Sequence, residues 1–103
     1  MKPAEFHESA QEELFEAGNY YAHIRPELGT DFEDEINAAL RRIQTSPLLF
    51  SIEVDPFRKC LVDRFPYSIV YIDLPDRIYI AAIAHHSRRP DYWLRRLPPR
   101  SRL

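Results

Sequence analysis

The chain has 103 residues, of which 45% are hydrophobic and 13% are aromatic, so the composition excludes a disordered protein and allows one domain over residues 1–103. The net charge of −2 at pH 7 hides an uneven distribution. Residues 1–57 carry 4 basic and 12 acidic side chains, whereas residues 58–103 carry 10 and 4. No apolar stretch is long enough to span a membrane and no signal-peptide pattern is present, so we expect a cytoplasmic protein.

The N-terminal part of the chain predicts a short strand and an amphipathic helix. Residues 3–7 form a lead-in that suits an edge strand. Ser9 and Glu12 have the spacing of a capping box, so we expect a helix that begins there and runs to about Ile24. Apolar side chains recur on one face of this helix: Ala10, Leu14, Ala17, Tyr21 and Ile24. Glu13 lies outside that face.

A second helix is predicted after a short connection. Pro26 is expected to stop the first helix, and Gly29 suits a left-handed exit from it. Thr30 and Glu33 form a second capping box, and Ser46-Pro47 ends the helix that it begins. The apolar face of this helix consists of Phe32, Ile36, Ala39, Leu40 and Ile43. Two helices joined so closely are expected to form an antiparallel hairpin.

After Pro47 the sequence changes to runs of β-branched and aromatic residues. Three runs of strand length cover residues 58–64, 67–73 and 78–85. Their connections are short, so we expect an antiparallel meander with the helix hairpin on one face. Strict alternation places four residues of the last strand on a common face: Tyr79, Ala81, Ile83 and His85. The predicted fold class is α+β, with an N-terminal strand and a two-helix antiparallel hairpin packed on an antiparallel β-meander.

Residues 85–96 follow the last predicted strand and concentrate cationic and aromatic side chains. They contain two histidines, four arginines, a tyrosine and a tryptophan within twelve positions. A solvated tail seldom carries large aromatic residues, so this composition favours contact with phosphates, bases or an acidic partner.

The cysteine and histidine positions give no indication of a metal or cofactor site. Cys60 is the only cysteine, which excludes an internal disulfide. His7 and His23 are far in sequence from His85 and His86, and they lack the spacing of metal ligands. No glycine-rich phosphate loop is present either. We therefore expect neither a metal nor a cofactor.

The predicted order of a strand, two helices and a three-stranded meander resembles the RelE/ParE superfamily of bacterial toxins, often labelled plasmid stabilisation proteins. Several sequence motifs resemble that superfamily as well. The run Arg-Phe-Pro-Tyr-Ser-Ile-Val-Tyr at 64–71 resembles the family's strand motif R-F-P-Y-x-I-x-Y. The run Ala-Ile-Ala-His at 82–85, followed by Arg88-Arg89-Pro90 and Tyr92-Trp93, resembles the family ending A-V-x-H-x-x-R-x-P-x-Y-W. The resemblance implies the toxin of a type II toxin–antitoxin system, which arrests growth and is neutralised by a cognate antitoxin in a hetero-oligomer.

The resemblance leaves the cellular target open. RelE-like members are ribosome-dependent endoribonucleases that cut messenger RNA without a metal, whereas ParE-like members inhibit DNA gyrase and are not known as nucleases. His86 lies six residues before Tyr92, and at the position of His86 RelE-like sequences carry an arginine. A toxin-derived module without toxicity is a third alternative. We expect an antitoxin to bind across the sheet and the basic C-terminal region.

The candidate residues fall into two groups. Cleavage of RNA by its own 2′-hydroxyl needs a proton acceptor, a proton donor and cations beside the phosphate. The candidates for these roles are His85, His86, Arg88, Tyr92 and Arg64. Candidates for binding the target or a nucleic acid are Arg58, Lys59, Arg89, Trp93, Arg95 and Arg96. Two structural alternatives stay open: His85 caps the last strand, and Trp93 folds back as an apolar lid.

Overall fold

A computed structural model describes residues 1–99, which form two helices and five strands. In chain order these are β1 (Ala4–Phe6), α1 (Glu8–Ile24), α2 (Pro26–Thr45), β2 (Ile52–Val54), β3 (Phe57–Leu61), β4 (Tyr67–Asp73) and β5 (Ile78–His85). No helix within this described range is both long and apolar enough to cross a bilayer. Residues 100–103 of the predicted domain lie outside the described residues.

The five strands form one mixed sheet in the order β1-β5-β4-β3-β2. The predicted meander is confirmed, because β3, β4 and β5 pair antiparallel, and the predicted edge strand β1 pairs parallel with β5. β2 was not predicted, since three residues are too few to show an alternation. The strand predicted over residues 58–64 lies at Phe57–Leu61 and ends early, because residues 62–66 turn the chain and Arg64 has a φ of 70°. The predicted α+β class is confirmed.

The N-terminus of α1 is capped by His7 and not by Ser9. The Nδ1 atom of His7 accepts a hydrogen bond from the backbone N–H of Ser9 at 3.0 Å, and α1 begins at Glu8. The predicted capping box is therefore wrong, since Ser9 already lies inside the helix. The predicted end of the helix at Ile24 is confirmed.

α2 begins at Pro26, earlier than the predicted start at Thr30. Arg25 is extended, with φ −158° and ψ 137°, and separates the two helices. Pro26 starts the second helix because its missing N–H removes no helical hydrogen bond at the first position. Gly29 consequently lies inside α2 without a positive φ, so the predicted left-handed exit is wrong. The hydroxyl of Thr30 donates to the carbonyl of Pro26 at 3.4 Å and caps nothing.

Gly29 lies where the two helices approach each other closely. A Cβ atom on Gly29 would lie 2.8 Å from the Cβ of Ala22, whereas a Cβ on Gly18 would have no neighbour within 4 Å. We expect Gly29→Ala to lower the free energy of unfolding by about 1–3 kcal/mol through overpacking. Gly18→Ala, the matched control, is expected to raise it by up to about 1 kcal/mol, because alanine is the better helix former. Urea unfolding measures both, and equal midpoints would contradict this close helix contact.

The sheet is buried on both faces. The helix hairpin covers one face through a helix-side cluster that includes Phe32, Ile36 and Tyr71. An outer cluster on the opposite face includes Phe57 and Trp93. The residues of β4 alternate between the two clusters: Tyr67, Ile69 and Tyr71 lie in the helix-side cluster, and Val70 and Ile72 lie in the outer one.

A bulge in β5 changes which residues face the helices. The register between β4 and β5 shifts, so that Ala81 has no partner residue on β4. Tyr79 and Ala81 lie in the outer cluster, whereas Ile83 lies in the helix-side cluster. The predicted common face of these residues with His85 is wrong, because the extra residue reverses the alternation.

Candidate functional site

Residues 86–99, the C-terminal segment, turn back over the outer face of the sheet. Trp93 is only 2% exposed, and its ring centroid lies 4.8 Å from that of Phe57. The turn that follows is closed by the N–H of Arg96, which donates to the carbonyl of Trp93 at 2.9 Å. Trp93 is thus the apolar lid that the sequence left open as an alternative. It presents no exposed face on which a base could stack, so a role of Trp93 in target binding stays a prediction that its contacts do not favour.

Glu13 on α1 binds the C-terminal segment to the bulge of β5. Its Oε1 accepts hydrogen bonds from the backbone N–H of Ile83 at 3.0 Å and from Nη1 of Arg96 at 2.9 Å. Its Oε2 accepts from Nη2 of Arg96 at 3.1 Å and from the Tyr92 hydroxyl at 2.8 Å. Nη1 of Arg96 also donates to the carbonyl of Ala81 at 3.1 Å. Arg96 therefore has a structural role, and its predicted role in target binding stays a prediction.

Tyr92 is held between two guanidinium groups. The Cζ atoms of Arg88 and Arg96 lie 4.0 and 5.0 Å from its ring centroid, which are cation–π distances. Burial, together with the hydrogen bond to Glu13, raises the pKa of the Tyr92 hydroxyl well above its ordinary value. The phenol therefore stays protonated and donates to a carboxylate, which makes it a poor general acid or base near neutral pH.

A cavity of about 220 Å³ lies between the outer face and the C-terminal segment. Ser68, which is 1% exposed, places its Oγ 3.0 Å from Nε2 of His86. Five basic residues and one acidic residue line the cavity: Lys59, His85, His86, Arg88, Arg89 and Asp91. Lys59 also lies 3.3 Å from a carboxylate oxygen of Glu53. The arrangement suits an anionic group such as a carboxylate or a phosphate.

His85 lies at the end of β5 and lines the cationic cavity, but its ring packs on the helix side of the sheet. Its Nδ1 accepts a hydrogen bond from the backbone N–H of Ser87 at 3.0 Å and lies 2.8 Å from the Ser87 hydroxyl oxygen. Its ring packs edge-on against Tyr67 at a centroid distance of 5.0 Å. The strand-end cap is therefore the role that the contacts of His85 favour. The ring of His85 contacts Tyr67 on the helix side of the sheet, whereas the ring of His86 contacts Ser68 on the outer side.

Arg58 and Arg64 make polar contacts with residues outside the C-terminal segment. Nη1 of Arg58 donates to the carbonyl of Phe50 at 2.7 Å and so fastens the loop that precedes β2. Arg64 lies 3.3 Å from a carboxylate oxygen of Asp31 and 3.7 Å from one of Glu35, both on α2. Neither arginine lines the cationic cavity. The structure therefore does not bring these two candidates together with the others.

Three arginines of the C-terminal segment point into solvent. The side chain of Arg88 is 54% exposed, although one of its nitrogens lies 3.9 Å from Glu13. Arg89 and Arg95 are exposed, and within residues 1–99 neither has a carboxylate within 4.0 Å. These three exposed arginines are the cations that remain available to a partner in this part of the molecule.

The sequence matches the family model of the ParE toxin of the type II toxin–antitoxin system, parDE, over residues 4–90. The chain belongs to the ParE toxin family. A solved structure described as the chromosomal ParDE TA system from P. aeruginosa has the same fold, with a TM-score of 0.64 and 17% sequence identity. The alignment covers 82% of this chain and 96% of that one. Comparison with curated proteins gives no significant match.

The ParE family match ends at residue 90, so it includes Glu13 and the cationic cavity residues up to Arg89 but not Tyr92. A toxin of this family implies a cognate antitoxin as its partner. Two residues of the site, Glu13 and Ser68, were not predicted from the sequence. Glu13 is one of several glutamates on the polar side of α1, and Ser68 is one residue in the regular alternation of β4. Nothing in the sequence therefore distinguished either residue from its neighbours as part of a site.

Proposed function

We propose that this ParE-family chain is a cytoplasmic toxin that arrests bacterial growth by binding a protein target, DNA gyrase, without cleaving RNA. One observation carries the proposal. Tyr92, a candidate for the acid–base chemistry of a nuclease, is bound to Glu13 together with Arg96, whereas the neighbouring arginines are exposed. The exposed arginines belong to a segment whose position is fixed by hydrogen bonds to Glu13. Such a cationic surface suits docking to an acidic protein surface.

The geometry gives weak support to acid–base chemistry. A ribonuclease needs a proton donor and a proton acceptor on either side of one phosphate. His85 and His86 follow opposite faces of the sheet, and Tyr92 is held protonated by burial and by Glu13. His86 is exposed beside the cationic cavity, whereas the half-buried His85 is held by Ser87 and Tyr67, so the two imidazoles are not arranged as a proton donor and acceptor on either side of one phosphate.

The ribosome-dependent ribonuclease is the second candidate, because the cationic cavity favours it. Lys59, His86, Arg88 and Arg89 surround a space that suits a phosphate, and His86 is paired with the buried hydroxyl of Ser68. In that case His86 acts as the acid or base, and the arginines stabilise the charge of the phosphorane.

The cognate antitoxin is proposed to bind the exposed arginines of the C-terminal segment; the predicted binding across the sheet itself is not possible on the outer face, because this segment already covers it. The segregation of charge supports this, since residues 58–103 carry six more basic than acidic side chains. An antitoxin segment with acidic residues would associate quickly and in a salt-dependent manner. The two chains would then form a hetero-oligomer in which the toxin is inactive.

Induced expression in bacteria tests the function and separates the two candidates. We expect DNA synthesis to stop before protein synthesis, and purified protein to inhibit DNA supercoiling by gyrase. Ribosome-bound messenger RNA should remain uncut in primer-extension assays. RNA cleavage that falls by roughly 10²–10⁴-fold in His86→Ala would instead establish the nuclease, since that is the contribution of a general acid or base.

A further inference from the structure

We propose that Glu13 is the positioning residue of the toxic surface: its carboxylate fixes the C-terminal segment so that the exposed arginines face the target in one orientation. The proposal rests on the proposed function, because it assumes that these arginines contact the target. It adds a residue of α1, far from the basic region in sequence, to the parts of the molecule on which toxicity depends.

Both oxygens of the Glu13 carboxylate are occupied by donors from other parts of the chain. Oε1 binds the N–H of Ile83 and the guanidinium of Arg96, and Oε2 binds Arg96 and the Tyr92 hydroxyl, all within 2.8–3.1 Å. The Glu13 side chain is 14% exposed, so these bonds are shielded from water and charge-assisted. Within residues 1–99, no other carboxylate lies within 4.0 Å of an arginine in the C-terminal segment.

Glu13 and Arg96 also complete the edge of β5. β1 follows that edge only as far as Ile80, where the N–H of His7 donates to the Ile80 carbonyl at 2.9 Å. Beyond this point the Ile83 N–H is taken by Glu13 and the Ala81 carbonyl by Arg96. The ion pair thus replaces a strand where β1 ends, because buried backbone groups need partners. This ties the orientation of the C-terminal segment to the bulge of β5.

The contacts extend from Glu13 to the exposed arginines. Arg88 stacks on Tyr92, whose hydroxyl Glu13 holds, and one Arg88 nitrogen lies 3.9 Å from the Glu13 carboxylate. Arg89 follows directly, and Arg95 precedes the anchored Arg96. Loss of the carboxylate would therefore release cations on both sides of Trp93.

The fluorescence of Trp93 would report this release, because Trp93 is the only tryptophan of the chain and is the buried residue of the C-terminal segment. We compare Glu13→Gln with Glu12→Gln, which removes the same charge from an exposed neighbour on α1. For Glu13→Gln we expect a red shift of Trp93 emission, stronger quenching by acrylamide and unchanged far-UV circular dichroism. Growth arrest and gyrase inhibition should weaken by about 10- to 100-fold, the factor for one lost hydrogen bond to a charged group. Glu12→Gln should change none of these.

Arg96→Lys provides the second variant, since lysine keeps the charge but cannot form the two parallel bonds of a guanidinium. It should shift Trp93 emission and toxicity in the same direction but less, and it tests the proposal if Glu13→Gln does not fold. A folded Glu13→Gln protein with unchanged emission, or with shifted emission and full toxicity, would overturn the proposal. If the wild-type chain neither arrests growth nor inhibits gyrase, the proposed function fails instead, whatever Trp93 reports.

Discussion

The double variant Arg88→Ala/Arg89→Ala is expected to abolish growth arrest while the protein remains folded. The Arg88 side chain is half exposed and Arg89 is exposed, so their removal exposes no core surface. Exposed substitutions usually change the free energy of unfolding by no more than about 0.5 kcal/mol, and the lost stacking of Arg88 on Tyr92 adds roughly as much. Plating efficiency after induction measures toxicity, and circular dichroism measures folding.

The matched control for this variant is Arg25→Ala/Arg41→Ala, which removes the same charge from exposed positions of the helix hairpin. It should remain as toxic as the wild type, because neither residue belongs to the C-terminal segment. If the Arg88/Arg89 variant is fully toxic at equal expression, the surface that acts on the target lies elsewhere on the protein. Equal loss of toxicity in both variants would show that net charge, and not this surface, is what matters.

Trp93→Ala is expected to lower the free energy of unfolding by about 3–5 kcal/mol, the usual cost of truncating a buried large aromatic residue. The indole covers the outer cluster and contacts Phe57, so its loss exposes apolar residues of the sheet. The C-terminal segment then loses its apolar anchor, and toxicity should fall as well. Urea unfolding measures the stability, and growth after induction at low temperature measures the activity of the folded fraction.

Leu94→Ala is the control, because this neighbour of Trp93 is 39% exposed. It should cost less than about 1 kcal/mol, since little apolar surface is lost from the interior. If the two variants unfold at the same urea concentration, Trp93 does not anchor the C-terminal segment to the sheet.

Hydrophobic periodicity was sufficient to predict both helices and the three central strands. The apolar positions at helical spacing in α2, such as Phe32 and Ile36, are buried as expected, and the alternation in β4 divides the two clusters correctly. Such patterns report which face of an element meets the core, because burial of apolar area dominates folding. The RelE/ParE resemblance is confirmed by the family match.

The errors arise where one residue changes local geometry. The extra residue Ala81 reverses the alternation of β5 and separates Tyr79 from His85, and a bulge leaves no mark in a run of alanines and isoleucines. Capping depends on backbone conformation as much as residue type, so His7 caps α1 although Ser9 is the commoner capping residue.

The site was only partly predictable for a related reason. Apart from Lys59 on β3, the basic residues of the cationic cavity lie within residues 85–89, so the composition of that run reveals them. Glu13 and Arg96 are separated by 83 positions in the sequence. Only the folded chain shows that this carboxylate of α1 binds both β5 and the C-terminal segment. Charge counts for residues 85–96 also overstate the available cations, because Arg96 is already paired.

The pairing of β1 with β5 sets an order in time. Ala4 pairs with Ile78. Glu13 can bind Ile83 and Arg96 only after the ribosome has added them, 70 and 83 residues later. The helix hairpin makes local contacts and can form early during synthesis, whereas the sheet and the C-terminal segment cannot. A polypeptide whose translation stops before residue 96 would therefore lack the assembled surface on which we propose toxicity depends.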